Sequence, residues 1–353
     1  MERIKLAVIF GGMSTEHDVS IVSGMSVLKH LNKEKYEIYP IYIDKEGEWY
    51  HYTKPLPEIV VPEVGEEITH IQKIENIVEV LKQMDCVFPV LHGLYGEDGT
   101  IQGFLELLKI PYVGCRVLAS SVSMDKAYTK ILFDRAGIQQ VEYVYLKKEK
   151  GQYYYVEKDF SEKPCNAEEL IEKIEQKLTY PVFVKPSNSG SSVGITKVKQ
   201  REELIEAIEE AAKYDRKILI EQGIEAREIE CAVLGNEQVE AACVGEILSA
   251  EEFYSFDSKY KNEESVTVIP AKLPRQIAQT IRELAVKAFK AVDGAGLARV
   301  DFFVEKQTEQ IYINEINTMP GFTNISMYPK LWGAVDMPYT ELLDRLITLS
   351  MFH

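Results

Sequence analysis

The sequence predicts a three-domain chain of mixed class. An open parallel α/β sheet comes first, and two α+β subdomains follow. Three observations carry this. The chain opens on a strand–helix–strand run. At 353 residues it is too long for one small core. Its middle and last parts alternate amphipathic helices with strands that return as hairpins. The expected boundaries are 1–121, 122–224 and 225–353.

"KLAVIF" (Lys5–Phe10) has the pattern of a buried strand, broken by Gly11 and Gly12. Ser14 or Thr15 can cap the helix that follows, with Glu16 and Asp18 in its first turn, where the helix dipole favours acids. Ile21, Met25 and Leu28 give that helix one apolar face. "YEIYPIYI" and "DCVFPVLHG" are the next strands. The loop "LYGEDGT", the helix "IQGFLELLKI" and a short strand "PYVG" complete the first domain.

"SMDKAYTKILFDRAGI" reads as a helix with Ile131 and Leu132 inward. Tyrosine-rich strands follow, turning at Lys150-Gly151, and then the amphipathic helix "AEELIEKIEQKL". "YPVFVKPSNSGSSVGITKV" is strand, loop, strand, followed by the helix "REELIEAIEEAAKY" and the strand "RKILIEQGI". In the last part "REIECAVLGN" and "QVEAACVGEIL" form one hairpin, and "LARVDFFVEKQTEQIYINEINTMPG" another. The helix "IAQTIRELAVKAFKAVD" lies between them, and "YTELLDRLITL" ends the chain. Residues 250–266 show no period and read as a long loop.

Composition is that of a soluble globular protein, 46% hydrophobic and 27% charged. A net charge of −16 argues against nonspecific binding of nucleic acid, which needs a basic face. The five cysteines are scattered without a C-x-x-C pair, as in a reduced, cytoplasmic protein with neither a disulfide frame nor a zinc site. The first residues lack a signal-peptide pattern, and no apolar run approaches the ~18 residues of a membrane span, so no membrane partner is expected.

Chemistry concentrates in four places. On the last hairpin, alternation puts Arg299 and Asp301 on one face, and Glu315 and Asn317 on one face of the partner strand. Three oxygen donors with two charges suit Mg²⁺ or Mn²⁺; a solvated polar face is the plain alternative. The interleaved Arg299 and the turn "NTMPGF" favour the metal–phosphate reading. "KPSNSGSSVGI" is not a P-loop, yet Lys185, three serines and the close approach allowed at Gly190 and Gly194 suit a phosphate better than a bare hairpin does. Glu221 and Glu228 could accept from an adenine amine and ribose hydroxyls, or be surface acids. His92, in a loop after a parallel strand, is either an orienting or proton-handling group or a histidine satisfied within its turn.

Taken together, the chain resembles the D-alanine–D-alanine ligases of the ATP-grasp superfamily. The resemblance rests on "VIFGGMSTEHDVSIVSG", "FPVLHGLYGEDGTIQGFLELLKIPYVG", "SMDKAYTK", "PVFVKPSNSGSSVGI", "FYSFDSKY", "RVDFF" and "NEINTMPGFTNISMYPKLW", in the family's order. It implies an ATP-grasp fold, ATP with two Mg²⁺ (or Mn²⁺) ions, D-alanine as substrate, a homodimer, and a part in peptidoglycan precursor synthesis. ATP would phosphorylate one D-alanine carboxylate, and the amine of a second would attack the acyl phosphate. Glu16 matches the acid for the first substrate's ammonium, in a network with Ser191 and Tyr260. Lys126, Lys185 and Ser192 match ATP-phosphate groups, Lys259 a lid lysine, and Glu221 and Glu228 the adenine and ribose carboxylates. Asp301, Glu315 and Asn317 match metal ligands; Arg299 and the Gly321 backbone match oxyanion groups. Ser326 and Met327 match the second D-alanine subsite, with His92 near the first.

The chain departs from many relatives at Asn188-Ser189, Gln222 and Met327, and carries an insert around 147–164. The nearest alternatives are D-alanine–D-serine and D-alanine–D-lactate ligases. Tyr260, where lactate-type relatives resemble a His, and Met327, where some serine-type relatives carry Arg, favour D-alanine. A dehydrogenase is disfavoured because the first turn, "GGMSTE", is not G-x-G-x-x-G.

Overall fold

The computed structural model describes residues 3–248 and 266–352. Three sheets succeed one another along the chain. The first contains β1 (Ile4–Gly11), β2 (Tyr36–Ile43), β3 (Trp49–Tyr52), β4 (Ile71–Lys73) and β5 (Cys86–Pro89), in the order β4-β3-β2-β1-β5. β2, β1 and β5 run parallel, as the opening pattern predicts. Leu6 through Phe10 are fully buried on both faces, the usual state of a central parallel strand. Residues 44–84 carry no assignment from sequence, and there β3 and β4 extend the sheet antiparallel at one edge. Pro40 sits in β2 just before pairing with β3 begins at Ile41, so its missing N–H costs no ladder bond on that side. The expected strand "PYVG" shrinks to a single bridge between Val87 and Tyr112.

The second sheet holds β6 (Tyr143–Glu149), β7 (Gln152–Val156), β8 (Glu162–Cys165), β9 (Val182–Pro186), β10 (Thr196–Val198) and β11 (Lys217–Gln222). Its order is β10-β9-β11-β6-β7-β8, all antiparallel. Helices Ala167–Glu175 and Leu204–Ala211 cover one face through Leu170, Ile174, Leu204 and Ile208. The first of these begins in a capping box between Asn166 and Glu169.

The third sheet joins β12 (Ala226–Gly235), β13 (Val239–Leu248), β14 (Val266–Val268), β15 (Gly296–Glu305) and β16 (Ile311–Asn317), in the order β14-β13-β12-β15-β16. Helix Arg275–Ala291 packs one face through Ile281, Ala285 and Phe289. On the other face Leu234, Leu297, Met327 and Trp332 belong to one core with Leu6, Val8, Phe10 and Phe88 of the first sheet. Leu342, Leu346 and Ile347 of the last helix, Tyr339–Ser350, complete that core. The first and third domains therefore share a hydrophobic interior. No helix among the described residues is long and apolar enough to cross a membrane.

A polar joint reinforces the shared core. His92 Nδ1 lies 2.9 Å from Met319 O, and His92 Nε2 lies 2.8 Å from Ser23 Oγ. Ser23 Oγ in turn accepts from Phe322 N at 3.2 Å. Glu97 accepts from Gly93 N at 2.8 Å and from Met319 N at 3.0 Å. Residues 319–322 are thus held by the first domain. Burial pulls the His92 pKa down to about 4, so the ring is neutral near pH 7.

This lowered pKa has a signed consequence. The unfolded ring takes up a proton first, so the stability His92 contributes is full above its ordinary pKa and declines as pH falls toward 4. Between pH 7 and 5 the native protein should lose roughly 2 kcal/mol more unfolding free energy than a His92→Asn variant. Urea titrations at the two pH values measure this; equal losses would remove His92 as the cause.

Candidate active site

The three sheets enclose one cleft of about 1810 Å³. That exceeds the usual space for a single small ligand, so it can hold a nucleotide beside amino acids. Its described lining includes Glu16, His92, Lys126, Lys185, Ser191, Ser192, Glu221 and Glu228. It also includes Arg299, Asp301, Glu315, Asn317, Gly321, Ser326 and Met327. Lys259 and Tyr260, with most of the long loop expected at 250–266, lie outside the described residues.

The acid face comes from β15 and β16, where Asp301 pairs in register with Glu315 and Arg299 with Asn317. Asn317 Nδ2 donates to Asp301 Oδ2 at 3.0 Å. Arg299 forks onto Asp301, with Nε and Nη2 each 2.7 Å from a carboxylate oxygen. Glu230, on β12, brings its Oε2 within 3.1 Å of Arg299 Nε. Burial disfavours the Arg299 charge, but Asp301, Glu230 and Glu315 outweigh burial and hold the guanidinium firmly protonated. Among the described residues no three His, Cys, Asp or Glu side chains converge as a metal cage. Two carboxylates and an amide instead match a divalent cation that completes its shell with phosphate oxygens and water. The donor set therefore fits Mg²⁺ or Mn²⁺.

The glycine–serine loop leaves β9 after Pro186, one residue past Lys185. Lys185 Nζ contacts Glu221 Oε2 at 2.6 Å, and Lys130 Nζ reaches Glu221 Oε1 at 3.0 Å. Glu221 is 3% exposed, so both its oxygens face lysines rather than an adenine amine. Burial opposes its charge, but the two lysines override that and pull its pKa down to about 2. Lys130 lies on the helix Lys126–Arg135, where sequence places Ile131 and Leu132 inward; its most buried positions are instead Ala127, Thr129, Lys130 and Phe133. The signal was available in the 127, 130, 133 spacing, but a lysine on that face is intelligible only beside Glu221. Lys126 Nζ donates to Ser189 O at 2.6 Å and stands 4.0 Å from Glu315. The Gln222 side chain serves Thr179 N and O and Gly223 O, which fastens the strand rather than reaching toward a base.

Glu16 is the N-cap residue of the first helix, His17–His30, not part of its first turn. Ser14 Oγ accepts from Glu16 N and donates to His92 O, so it ties the two loops and leaves the helix without a side-chain cap. A β-carbon on Gly190 would lie 2.5 Å from Glu16 Oε1. Gly190 thus permits contact between the loop and the acid. The left-handed turn falls on Ser191 (φ 48°), Ser192 (φ 61°) and Gly194 (φ 74°). Two serines held there store strain of order 1–3 kcal/mol each.

Gly321 abuts Ser326: a β-carbon there would sit 2.7 Å from Ser326 Oγ. Ser326 Oγ accepts from Thr323 N at 3.0 Å. The Met327 side chain is buried against Gly245, where a β-carbon would meet its sulfur at 2.6 Å. His92 reaches the cleft wall with both ring nitrogens already committed, which leaves it an orienting part. Burial and the neighbouring Glu16 push the Glu97 carboxyl well above the ordinary range, although the Gly93 and Met319 amides oppose this. Glu97 and Glu230 are cleft residues that sequence did not assign to the site.

Comparison with known proteins gives one consistent relationship. A family model described as D-ala D-ala ligase N-terminus matches residues 5–115, and one described as D-ala D-ala ligase C-terminus matches 132–348. A D-alanine–D-alanine ligase of Clostridium acetobutylicum is 50% identical over 349 residues, 98% of this chain and 97% of that protein. One from Acetivibrio thermocellus is 48% identical over 375 residues, 99% and 96% of the two chains. Among solved structures, the VanG D-Ala:D-Ser ligase of Enterococcus faecalis superimposes with a TM-score of 0.84 at 37% identity, covering 99% and 100%. The D-alanine–D-alanine ligase of Coxiella burnetii does so at 0.81 and 35%, covering 100% and 95%. From the first strand to the last helix, the chain belongs to the D-alanine–D-alanine ligase family, with its ATP-grasp fold.

Proposed function

We propose that this enzyme joins two D-alanine molecules, driven by ATP, to make D-alanyl-D-alanine for peptidoglycan precursors, in the cytoplasm and as a homodimer. One observation carries the chemistry. An acid against a glycine loop (Glu16 at Gly190), lysines at that loop, and a two-carboxylate face beside Arg299 all open on one cleft.

A free carboxylate is a poor acyl donor because its leaving group would be oxide. Phosphorylation supplies a better one, and the acyl phosphate then needs protection from water. Glu16 receives the first substrate's ammonium. Lys126 and Lys185 face the nucleotide phosphates, with Ser192 beside them and Glu228 on the ribose side. Glu221 holds the Lys185 ammonium in place by a direct contact. Arg299 and the Gly321 amide hold the reacting carboxylate and then the oxyanion formed as the second amine attacks. Asp301, Glu315 and Asn317 would hold two Mg²⁺ (or Mn²⁺) ions, which neutralise charge on the transferring phosphoryl group when bound. Ser326 and Met327 border the second D-alanine. The buried, apolar Met327 favours a methyl over a hydroxymethyl side chain there, though a hydrophobic wall discriminates only modestly.

Phosphate release should be fastest with D-alanine alone, and slower when D-serine or D-lactate is offered as second substrate. Preference for either at neutral pH would reassign the enzyme within its family. Gly190→Ala, which forces Glu16 aside, should raise KM for the first D-alanine about tenfold and leave KM for ATP within about twofold. An unchanged D-alanine KM would separate Glu16 from that subsite. Glu315→Ala should lower kcat by about a hundredfold, with a higher Mg²⁺ requirement; normal turnover would remove Glu315 from the metal face.

A further inference from the structure

Arg299 has two carboxylate partners of different standing. Asp301 takes the guanidinium fork through both of its oxygens, and Asp301 Oδ2 also accepts from Asn317 Nδ2. A carboxylate offers about four lone-pair sites, and at least three are already used here. A cation on Asp301 therefore has to share its oxygens with Arg299 or displace it. Glu230 is the second partner. It is 6% exposed, lies in register with Asp301 across β12 and β15, and places Oε2 3.1 Å from Arg299 Nε. It belongs to neither the first-substrate loop nor the facing pair Asp301–Glu315.

We infer that Glu230 is a positioning residue that keeps the Arg299 guanidinium aimed into the cleft when Asp301 is drawn toward a cation. This rests on the ligase reading, in which Arg299 stabilises the reacting carboxylate. Nε already lies between Asp301 and Glu230, so a small shift moves its bond from one acid to the other without loss of charge pairing. Without Glu230, cation and guanidinium compete for Asp301 alone, and Arg299 loses its fixed direction.

The test uses Glu230→Gln in the full chain. We expect kcat to fall about tenfold, with KM for ATP within about twofold. Mn²⁺ binding in the presence of ADP, followed by electron paramagnetic resonance, should stay within about threefold. Glu230→Asp keeps the charge one methylene further back; it should fall between the two and serves if the Gln variant folds poorly. In an Arg299→Met background, adding Glu230→Gln should change single-turnover rates less than twofold, because the residue acts through Arg299.

A Gln variant with full kcat and only a lower unfolding midpoint would reduce Glu230 to a stabilising ion pair. Mn²⁺ affinity weakened tenfold or more would make it a metal ligand instead. An undiminished effect in the Arg299→Met background would also overturn the inference. D-alanine-dependent phosphate release by the unaltered protein, measured alongside, tests the ligase reading separately.

Discussion

Met319 is the residue on which the site is hung. His92 binds its carbonyl oxygen and Glu97 its amide, so both polar groups of its backbone are committed to the first domain. Ser23 fixes Phe322 N three residues on, and Tyr339 reaches Phe322 O at 2.5 Å. Gly321 lies between these fixed points. The amide proposed to face the oxyanion thus belongs to the third domain by sequence and is aimed by the first. Preorganisation of this kind matters because donors that need not reorient during reaction stabilise developing charge most effectively.

Charge is handled by pairing rather than by accumulation. The chain carries −16 overall, yet its substrates, a nucleotide and amino-acid carboxylates, are anionic. Around Lys185 the protein buries one acid between two lysines, leaving a local excess of one positive charge. Around Arg299 it surrounds one guanidinium with carboxylates, leaving a local negative excess suited to divalent cations. The two clusters have opposite signs and line one cleft, an arrangement matched to a metal–phosphate ensemble with phosphate oxygens on one side and cations on the other.

Much of this is legible in the sequence alone. Alternation on "RVDFF" and "INEIN" is enough to put Arg299 with Asp301, and Glu315 with Asn317, on shared faces, because strand periodicity is local; the register that sets Asp301 opposite Glu315, beside a bulge at Asp301–Phe302, is not. The amphipathic helix that begins at Ala167 is equally plain; its Asn166–Glu169 capping box is a finding of the structure. What stayed hidden depends on long-range partners. Lys130 reads as a solvent-facing residue until Glu221 is known to lie against it. His92 cannot be called committed without Met319, 227 residues away. Glu230 looks like an ordinary strand acid until β12 is set beside β15. The added strands β3 and β4, of which β4 is the edge, leave no mark in the sequence because they are short and β4 is wholly exposed, so they show no hydrophobic period.

The interior shared by the first and third domains bears on how the chain is made. Cys86, in the first sheet, touches Ser350, 264 residues later, at 3.1 Å. While the polypeptide is being synthesised, the face of β1 that carries Leu6, Val8 and Phe10 must wait for Leu342, Leu346 and Ile347 to leave the ribosome. The opening βαβ unit therefore emerges well before the helix that completes its packing. Throughout that interval it exposes apolar surface, the condition under which nascent chains call on chaperones.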